Sequence, residues 1–423
     1  MKAALVTPFV SHLPLYPSSY VGYGAAVLKE RFELDVIDLN ADIYFKNRNR
    51  LRKLLYNIDR EQVIFDEFDL YPLYYKLMKG VEKEYGKIPW GQYRAVFVTI
   101  PAWFVNVPTE NVLKLTHVIR KEAPDAEVFF FGNSLGSWTD QKRLKENGIK
   151  VVHLNDLFEL NPMNEPVDYD SLPTPLYEFG RKYIFDIIPI RFKHGCTWGK
   201  CKFCSLAKGW NSGYKERSAK RVIQEVEELD RKYNPIMFVC NDNSITGKNL
   251  LEICRLLEGV NKPWGAMGRA DLTKKEIAAL HKAGCTVVYF GLESGSDRVL
   301  HEINKGISSR QMSYFVKELY NNNIMPAPSF FVGSPGESES DFEKTLEFIS
   351  DHRDYLDMIN VYPLAMTPAS EFSIAHKQPN REIFIRLAKL INLCTGLGMR
   401  VCVGEQCSEY AIIKEPYPCD VTY

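Results

Sequence analysis

The chain has 423 residues, enough for two or three domains and a large core. Lysine plus arginine and aspartate plus glutamate both number 53, so the net charge is zero and no global basic field recruits nucleic acid. The N-terminal MKAALVTPFVSHLPLYP offers neither a signal peptide nor a membrane span, so the expectation is a soluble, cytoplasmic protein with no membrane partner, whose ten cysteines are reduced thiols and metal ligands.

Residues 2–7, KAALVT, form an apolar run that ends at a Thr-Pro turn. The small-residue segment YVGYGAAVLKERF follows, and then a second strand, residues 34–39, ending in LNAD. Strand, glycine-containing turn, helix and strand make the opening of a doubly wound parallel sheet. Apolar runs at 95–100, 127–131 and 151–154 continue it, with helical patterns at 112–122 and 141–147 between them. Residues 42–90 interrupt the alternation with a long polar and aromatic segment read as helical. Residues 1–155 therefore read as a Rossmann-like α/β domain, and 156–185, rich in Pro, Asn and Asp, as a linker.

A second alternation starts with a strand at 186–192 that delivers the chain into GCTWGKCKFC. Further strands are predicted at 236–240, 264–267, 286–290, 325–332 and 358–362, and helices at 218–232, 249–257, 274–282, 309–322 and 338–351. Six βα repeats over residues 186–375 predict a (β/α)6 partial TIM barrel, whose chemistry belongs at the C-terminal ends of its strands. Residues 376–423 read as a short, cysteine-containing C-terminal extension.

Cys196, Cys201 and Cys204 are the densest chemical signal in the chain. The spacing C-x4-C-x2-C lets three thiolates converge on one inorganic centre, and a [4Fe–4S] cluster with three protein ligands keeps one iron open to a small molecule. The same spacing fits a plant-type ferredoxin if Cys240 supplies a fourth ligand, and His194 could join a zinc site. Spacing alone leaves these alternatives open.

The surrounding chain resembles the radical SAM superfamily, in particular the subclass with an N-terminal cobalamin-binding domain. The resemblance rests on motifs in order: the three-cysteine loop after the first barrel strand, with Phe203 before its last cysteine; CNDNSI at 240–245; GRAD at 268–271; YFGLESGSDRVL at 289–300 with INKGI at 303–307; and FFVGSPGES at 330–338. The commonest first gap in the superfamily is one residue shorter, so this loop is expected to bulge around Trp198 and Gly199. The resemblance implies a [4Fe–4S] cluster on Cys196, Cys201 and Cys204, with S-adenosylmethionine chelated to the open iron. It gives Arg269 to the methionine carboxylate, Glu293 to the ribose hydroxyls with Ser294 beside it, and Phe203 and the turn holding Gly333, Pro335 and Gly336 to the adenine. Asn241, Asp242 and Asn243 lie at a strand end, where polar groups face the chemistry, without an assigned role. No catalytic residue is assigned.

The opening strand, its Thr-Pro turn, the GYGAAVL helix and the strand ending in IDLN are similar to the cobalamin modules of the same subclass. The chain lacks the D-x-H-x-x-G string that places a histidine on cobalt, so the resemblance implies base-off cobalamin without a histidine ligand, His12 and His153 being surface or packed side chains. FGNSLG at 131–136 brings Gly132, Asn133 and Ser134 to the nucleotide tail. The implied activity is methylation of an unactivated carbon of a small-molecule, peptide or protein substrate, served by a flavodoxin- or ferredoxin-type electron donor. Cyclisation or rearrangement with the same cofactors, or an iron–sulfur carrier or cobalamin sensor without turnover, are the alternatives. Cys394, Cys402, Cys407 and Cys419 near the C-terminus are read as buried thiols, as ligands of a second cluster, or as thiols with a redox or substrate-gating role.

Overall fold

The structure, a computed structural model, describes residues 1–9, 16–43, 45–46, 80–100, 108–131, 140–152, 154, 168–177, 183, 185–204, 213–364, 370–374 and 381–403. It divides into two compact units, residues 1–189 and 190–423.

The first unit runs β1 (Lys2–Thr7), α1 (Ser19–Lys29), β2 (Glu33–Asp38), α2 (Val81–Tyr85), β3 (Ala95–Thr99), α3 (Pro108–Glu122), β4 (Glu127–Phe131), α4 (Gln141–Glu146) and β5 (Lys150–Val151). The strands pair in parallel in the order β2-β1-β3-β4-β5. The order reverses between β1 and β3, the switch point where open α/β sheets bind ligands beyond their strand ends. The central strands read as continuous apolar runs because both faces are covered. One face packs on Val112, Leu115 and Ile119 of α3 with Trp90, and the other on Tyr20, Tyr23 and Val27 of α1. Tyr169 and Leu172, in the stretch read as a linker, are buried in that second core, so this part of the stretch belongs to the unit. Gly24 lets α1 lie directly on the sheet: a Cβ there would fall 2.6 Å from the Phe131 ring. Most of the 42–90 segment, residues 47–79, lies outside the described residues, as do His12, His153 and Gly132, Asn133 and Ser134.

The second unit begins within β6 (Ile187–Ile190) and continues through a hairpin of β7 (Lys193–Gly195) and β8 (Tyr214–Glu216). Then come α5 (Ala219–Tyr233), β9 (Met237–Cys240), α6 (Leu250–Leu257), β10 (Trp264–Gly268), α7 (Lys274–Lys282), β11 (Cys285–Glu293), α8 (Asp297–Glu302), α9 (Ser309–Asn321), β12 (Met325–Val332), α10 (Glu339–Asp351), β13 (Met358–Pro363), α11 (Arg381–Gly396) and β14 (Arg400–Val403). The sheet order β6-β9-β10-β11-β12-β13-β14 follows the chain, and the pairs from β9 to β14 are parallel. This is the expected partial barrel with one strand more than the sequence pattern gives: β14, carried by α11, extends the sheet into the stretch read as a C-terminal extension. Capping boxes start three helices, Thr273 with Glu276 for α7, Ser308 with Gln311 for α9 and Ser338 with Asp341 for α10, and so fix where each strand-end loop stops. No described helix is long and apolar enough to cross a membrane.

A buried ion pair anchors the first strand of this sheet. Arg217 and Glu225 are 2% and 1% exposed, and the guanidinium donates to both carboxylate oxygens at 2.9 and 3.0 Å. Glu225→Gln leaves the guanidinium's charge uncompensated in the core and is expected to cost about 3–5 kcal/mol in denaturant unfolding of the chain.

Candidate metal centre and cofactor site

The cysteine loop leaves the barrel through a tightly fastened stem. Beyond β6, the backbone N–H groups of Phe192 and Lys193 donate to Asp242 Oδ2 at 2.9 and 3.0 Å. On the other side Arg217 donates from its backbone N–H to the Phe192 carbonyl at 3.0 Å, and from Nη1 to the Arg191 carbonyl at 2.9 Å. Arg191 lies 3.7 Å from Asp242 Oδ1. Burial pushes the Asp242 carboxyl up, and the charges of Arg191 and Lys193 pull it back. The hairpin then closes the stem: Gly195 has φ +78°, and a Cβ there would lie 1.8 Å from the Gly213 carbonyl oxygen, so only glycine fits.

Of the three cysteines, Cys201 is buried and Cys196 and Cys204 are half-buried. Burial pushes the Cys201 thiol up, and the cations of Lys305 and Arg269 oppose it. Arg269 Nη1 lies 3.9 Å from Cys201 Sγ. Among the described residues no group of three His, Cys, Asp or Glu is disposed to hold a single metal ion. A four-iron cluster puts each thiolate on its own iron, so three thiols on one loop beside two cations suit it without meeting at a point. Cys240, the possible fourth ligand of a ferredoxin, is fully buried in β9 and donates to Asp242 Oδ2 at 3.4 Å. His194 is buried in the short strand β7.

Glu293 ends β11 with φ +68°, a conformation that costs a non-glycine residue about 1 kcal/mol or more. A register shift between Gly291 and Glu293 accompanies it and carries the strand past the residue-290 limit expected from sequence. Its Oε1 accepts from Lys305 Nζ at 2.6 Å, with both side chains buried, and its Oε2 accepts from Tyr362 at 3.4 Å. Lys305 Nζ also sits 5.7 Å from the Phe203 ring centroid, and Phe203 meets Phe331 edge-on at 5.3 Å. The structure thus gathers Cys201, Phe203, Arg269, Glu293 and Lys305 at one end of the barrel.

Two expected residues are placed differently from the others. Ser294 is fully buried, with its hydroxyl 3.1 Å from Thr345 Oγ1 and accepting from the Ser296 N–H at 3.1 Å, so it shapes the turn after Glu293. Arg269 has every arm engaged within the chain: Nε with Asp271 at 2.9 Å, Nη2 with the Lys305 carbonyl at 2.7 Å and Nη1 beside Cys201. Gly333 and Gly336 take φ +90° and +74° on either side of Ser334 and Pro335, and the Gly333 N–H donates to Glu337 at 2.9 Å. Ser334 Oγ is buried without a hydrogen-bond partner among the described residues. In the C-terminal stretch Cys394 and Cys402 are buried, and burial pushes the Cys394 thiol up to about 12; Cys407 and Cys419 lie outside the described residues. Lys305 and Asp242 are the functional candidates that sequence reading left without a role, although both stand in motifs it singled out.

The sequence model of the Radical SAM superfamily matches residues 190–349. An uncharacterized methyltransferase of Pyrococcus horikoshii is 30% identical over 218 residues, 49% of this chain and 47% of that protein. A ribosomal protein uS12 methylthiotransferase of Thermosipho melanesiensis is 24% identical over 324 residues, 71% of this chain and 74% of its own. The chain thus spans about half the length of the first relative and three-quarters of the second. Among solved structures, the radical S-adenosylmethionine methyltransferase TsrM of Kitasatospora setae, with cobalamin and a [4Fe–4S] cluster bound, superposes with TM-score 0.60 at 16% identity, covering 88% of this chain and 77% of that one. At that identity the likeness is one of fold.

The Lys305–Glu293 pair gives a test that needs no cofactor. Lys305→Met strands the Glu293 carboxylate and is expected to cost about 3–5 kcal/mol in denaturant unfolding; adding Glu293→Gln to that variant should restore a large part of it.

Proposed function

We propose, on the premise that residues 190–349 are a radical SAM domain, that the protein is a cobalamin-dependent radical SAM methyltransferase acting on an unactivated carbon of a peptide, protein or natural-product substrate. The observation that carries the reading is the set of three thiols, Cys196, Cys201 and Cys204, on one loop at the end of a barrel strand beside Arg269 and Lys305. Those thiols would hold a [4Fe–4S] cluster, which when bound supplies one-electron reductive cleavage of S-adenosylmethionine.

The chain's own residues bind and orient. Phe203 and the Gly333–Gly336 turn would border the adenine, where Ser334 offers a hydroxyl that has no partner among the described residues. Glu293, held in place by Lys305, faces the ribose hydroxyls, and Ser294 fixes the turn that presents it. Arg269, with each arm engaged, contributes its charge at the cluster more than a donor to the methionine carboxylate. In the first unit the β1/β3 switch point supports a cobalamin site, and the resemblance of the sequence would give Gly132, Asn133 and Ser134 to the nucleotide tail; bound there, cobalamin would supply a methyl carrier. A flavodoxin- or ferredoxin-type protein serves as electron donor. Methylthio transfer is the second reading, favoured by the Thermosipho relative.

The test uses full-length protein, purified and reconstituted without oxygen. The wild type is expected to hold about four irons and four sulfides, to show the absorption of base-off cobalamin, and to release 5′-deoxyadenosine from S-adenosylmethionine with dithionite. Changing Cys196, Cys201 and Cys204 to Ala together should abolish all iron; iron persisting in that variant would reveal a second cluster. A wild type that makes no 5′-deoxyadenosine is a carrier or sensor, and product mass with a deuterated methyl donor separates methyl transfer from methylthio transfer and from cyclisation.

A further inference from the structure

The first cysteine gap, with its additional residue, and the INKGI motif at 303–307 meet in the structure. Gly199 turns the loop in the left-handed region, with φ +58°, and Trp198 leaves the loop toward the turn after α8. The indole Nε1 donates to the Asn304 carbonyl at 2.9 Å. Its ring lies on Gly306, where a Cβ would come within 2.3 Å of the indole, and Gly306 has φ +70°. Two further bonds fasten the same surfaces: Asn304 Nδ2 donates to the Lys200 carbonyl at 2.9 Å, and the Lys202 N–H donates to the Ile303 carbonyl at 3.0 Å. On the indole, 5.3 Å from the centroid, sits the Arg269 guanidinium, which in turn donates to the Lys305 carbonyl and reaches Cys201.

We propose that Trp198 is a positioning residue: docked in the socket formed by residues 303–306, it clamps the Arg269 guanidinium against Cys201 and so sets the reduction potential of the cluster. This rests on the cluster reading given above. The physical step is electrostatic. One electron from the donor adds a negative charge to the cluster, and a cation fixed beside a ligand sulfur in a desolvated site favours the reduced form. A guanidinium on an indole face is held by cation–π attraction, stronger where water is excluded, and Arg269 is 5% exposed. Without the indole the guanidinium is held by Asp271 and the Lys305 carbonyl alone, and water reaches the face that the ring covered and screens its charge. The longer gap is then the device that lets the loop reach the socket.

The test is a potentiometric titration of the reconstituted full chain with dithionite, followed by the electron paramagnetic resonance signal of the reduced cluster. Trp198→Leu fills space without a π face and is expected to lower the midpoint potential, whereas Trp198→Phe keeps a ring under the guanidinium and should stay at the wild-type value. Arg269→Gln should lower the potential too, and Trp198→Leu added to it should lower it no further. Iron loss to a chelator should quicken about tenfold in Trp198→Leu, the scale of an outer-shell change at a metal site. Equal potentials in wild type and Trp198→Leu, with the cluster present in both, would overturn the proposal while leaving the cluster reading intact. So would Leu and Gln shifts that add in full. A wild type without iron and sulfide would overturn the cluster reading and the proposal together.

Discussion

The carboxylate of Asp242 is the fixed point of the candidate site. The described part of the cysteine loop, residues 196–204, forms no helix or strand, and ordering such a chain costs about 1–2 kcal/mol per residue. A loop of that kind presents its ligands reproducibly only if its origin is fixed by bonds to something rigid. Asp242 provides them: one oxygen accepts two consecutive backbone N–H groups at the point where the chain leaves β6. Arg217 takes the carbonyls on the other side, and Glu225 holds Arg217 in the core. Removing the carboxylate would leave the buried N–H groups of Phe192 and Lys193 without their acceptor at the point where the loop begins.

From that origin the site is built by long-range pairing. The loop is fastened again at residues 303–306, which also deliver Lys305 to Glu293, while Arg269 arrives from the end of β10. Three strand ends and one turn therefore share a small set of charges: two cations, Arg269 and Lys305, around Cys201, with Glu293 and Asp271 as their partners. Burial makes the Lys305–Glu293 pair count, because a buried charge without a partner is far more costly than the pair is beneficial; Arg269 is buried too, although its partner Asp271 is exposed. The strained backbone at Glu293 fits the same picture, since such a conformation persists only where its surroundings over-determine it.

Most of the frame was legible in the sequence because parallel strands covered on both faces are unbroken apolar runs, and helices such as Ala219–Tyr233, Lys274–Lys282, Ser309–Asn321 and Glu339–Asp351 begin at Ser or Thr caps. The cysteines were legible for a chemical reason, since few residue types can ligate iron. What was not legible lacks such signals. The strands Lys193–Gly195 and Tyr214–Glu216 have three residues each and no apolar alternation, so the hairpin at the loop's mouth went unseen. The strand Arg400–Val403 was hidden among the C-terminal cysteines. Asp242 and Lys305 stood in recognised motifs, yet their roles depend on partners 50 and 12 residues away that only the folded chain brings near. The pairing of Ser294 with Thr345, 51 residues on, is hidden in the same way.

The contact between Gly195 and Gly213 has a consequence for how this loop can change. Backbone touches backbone at the loop's neck, so the two ends of the segment are held at one separation whatever lies between them. A side chain at Gly195 would strike the Gly213 carbonyl and pry open the neck, whereas a change of loop length between the two glycines leaves the β7–β8 pairing of Lys193 with Glu216 and Gly195 with Tyr214 as it stands. A first gap longer by one residue is one such edit, absorbed inside the neck.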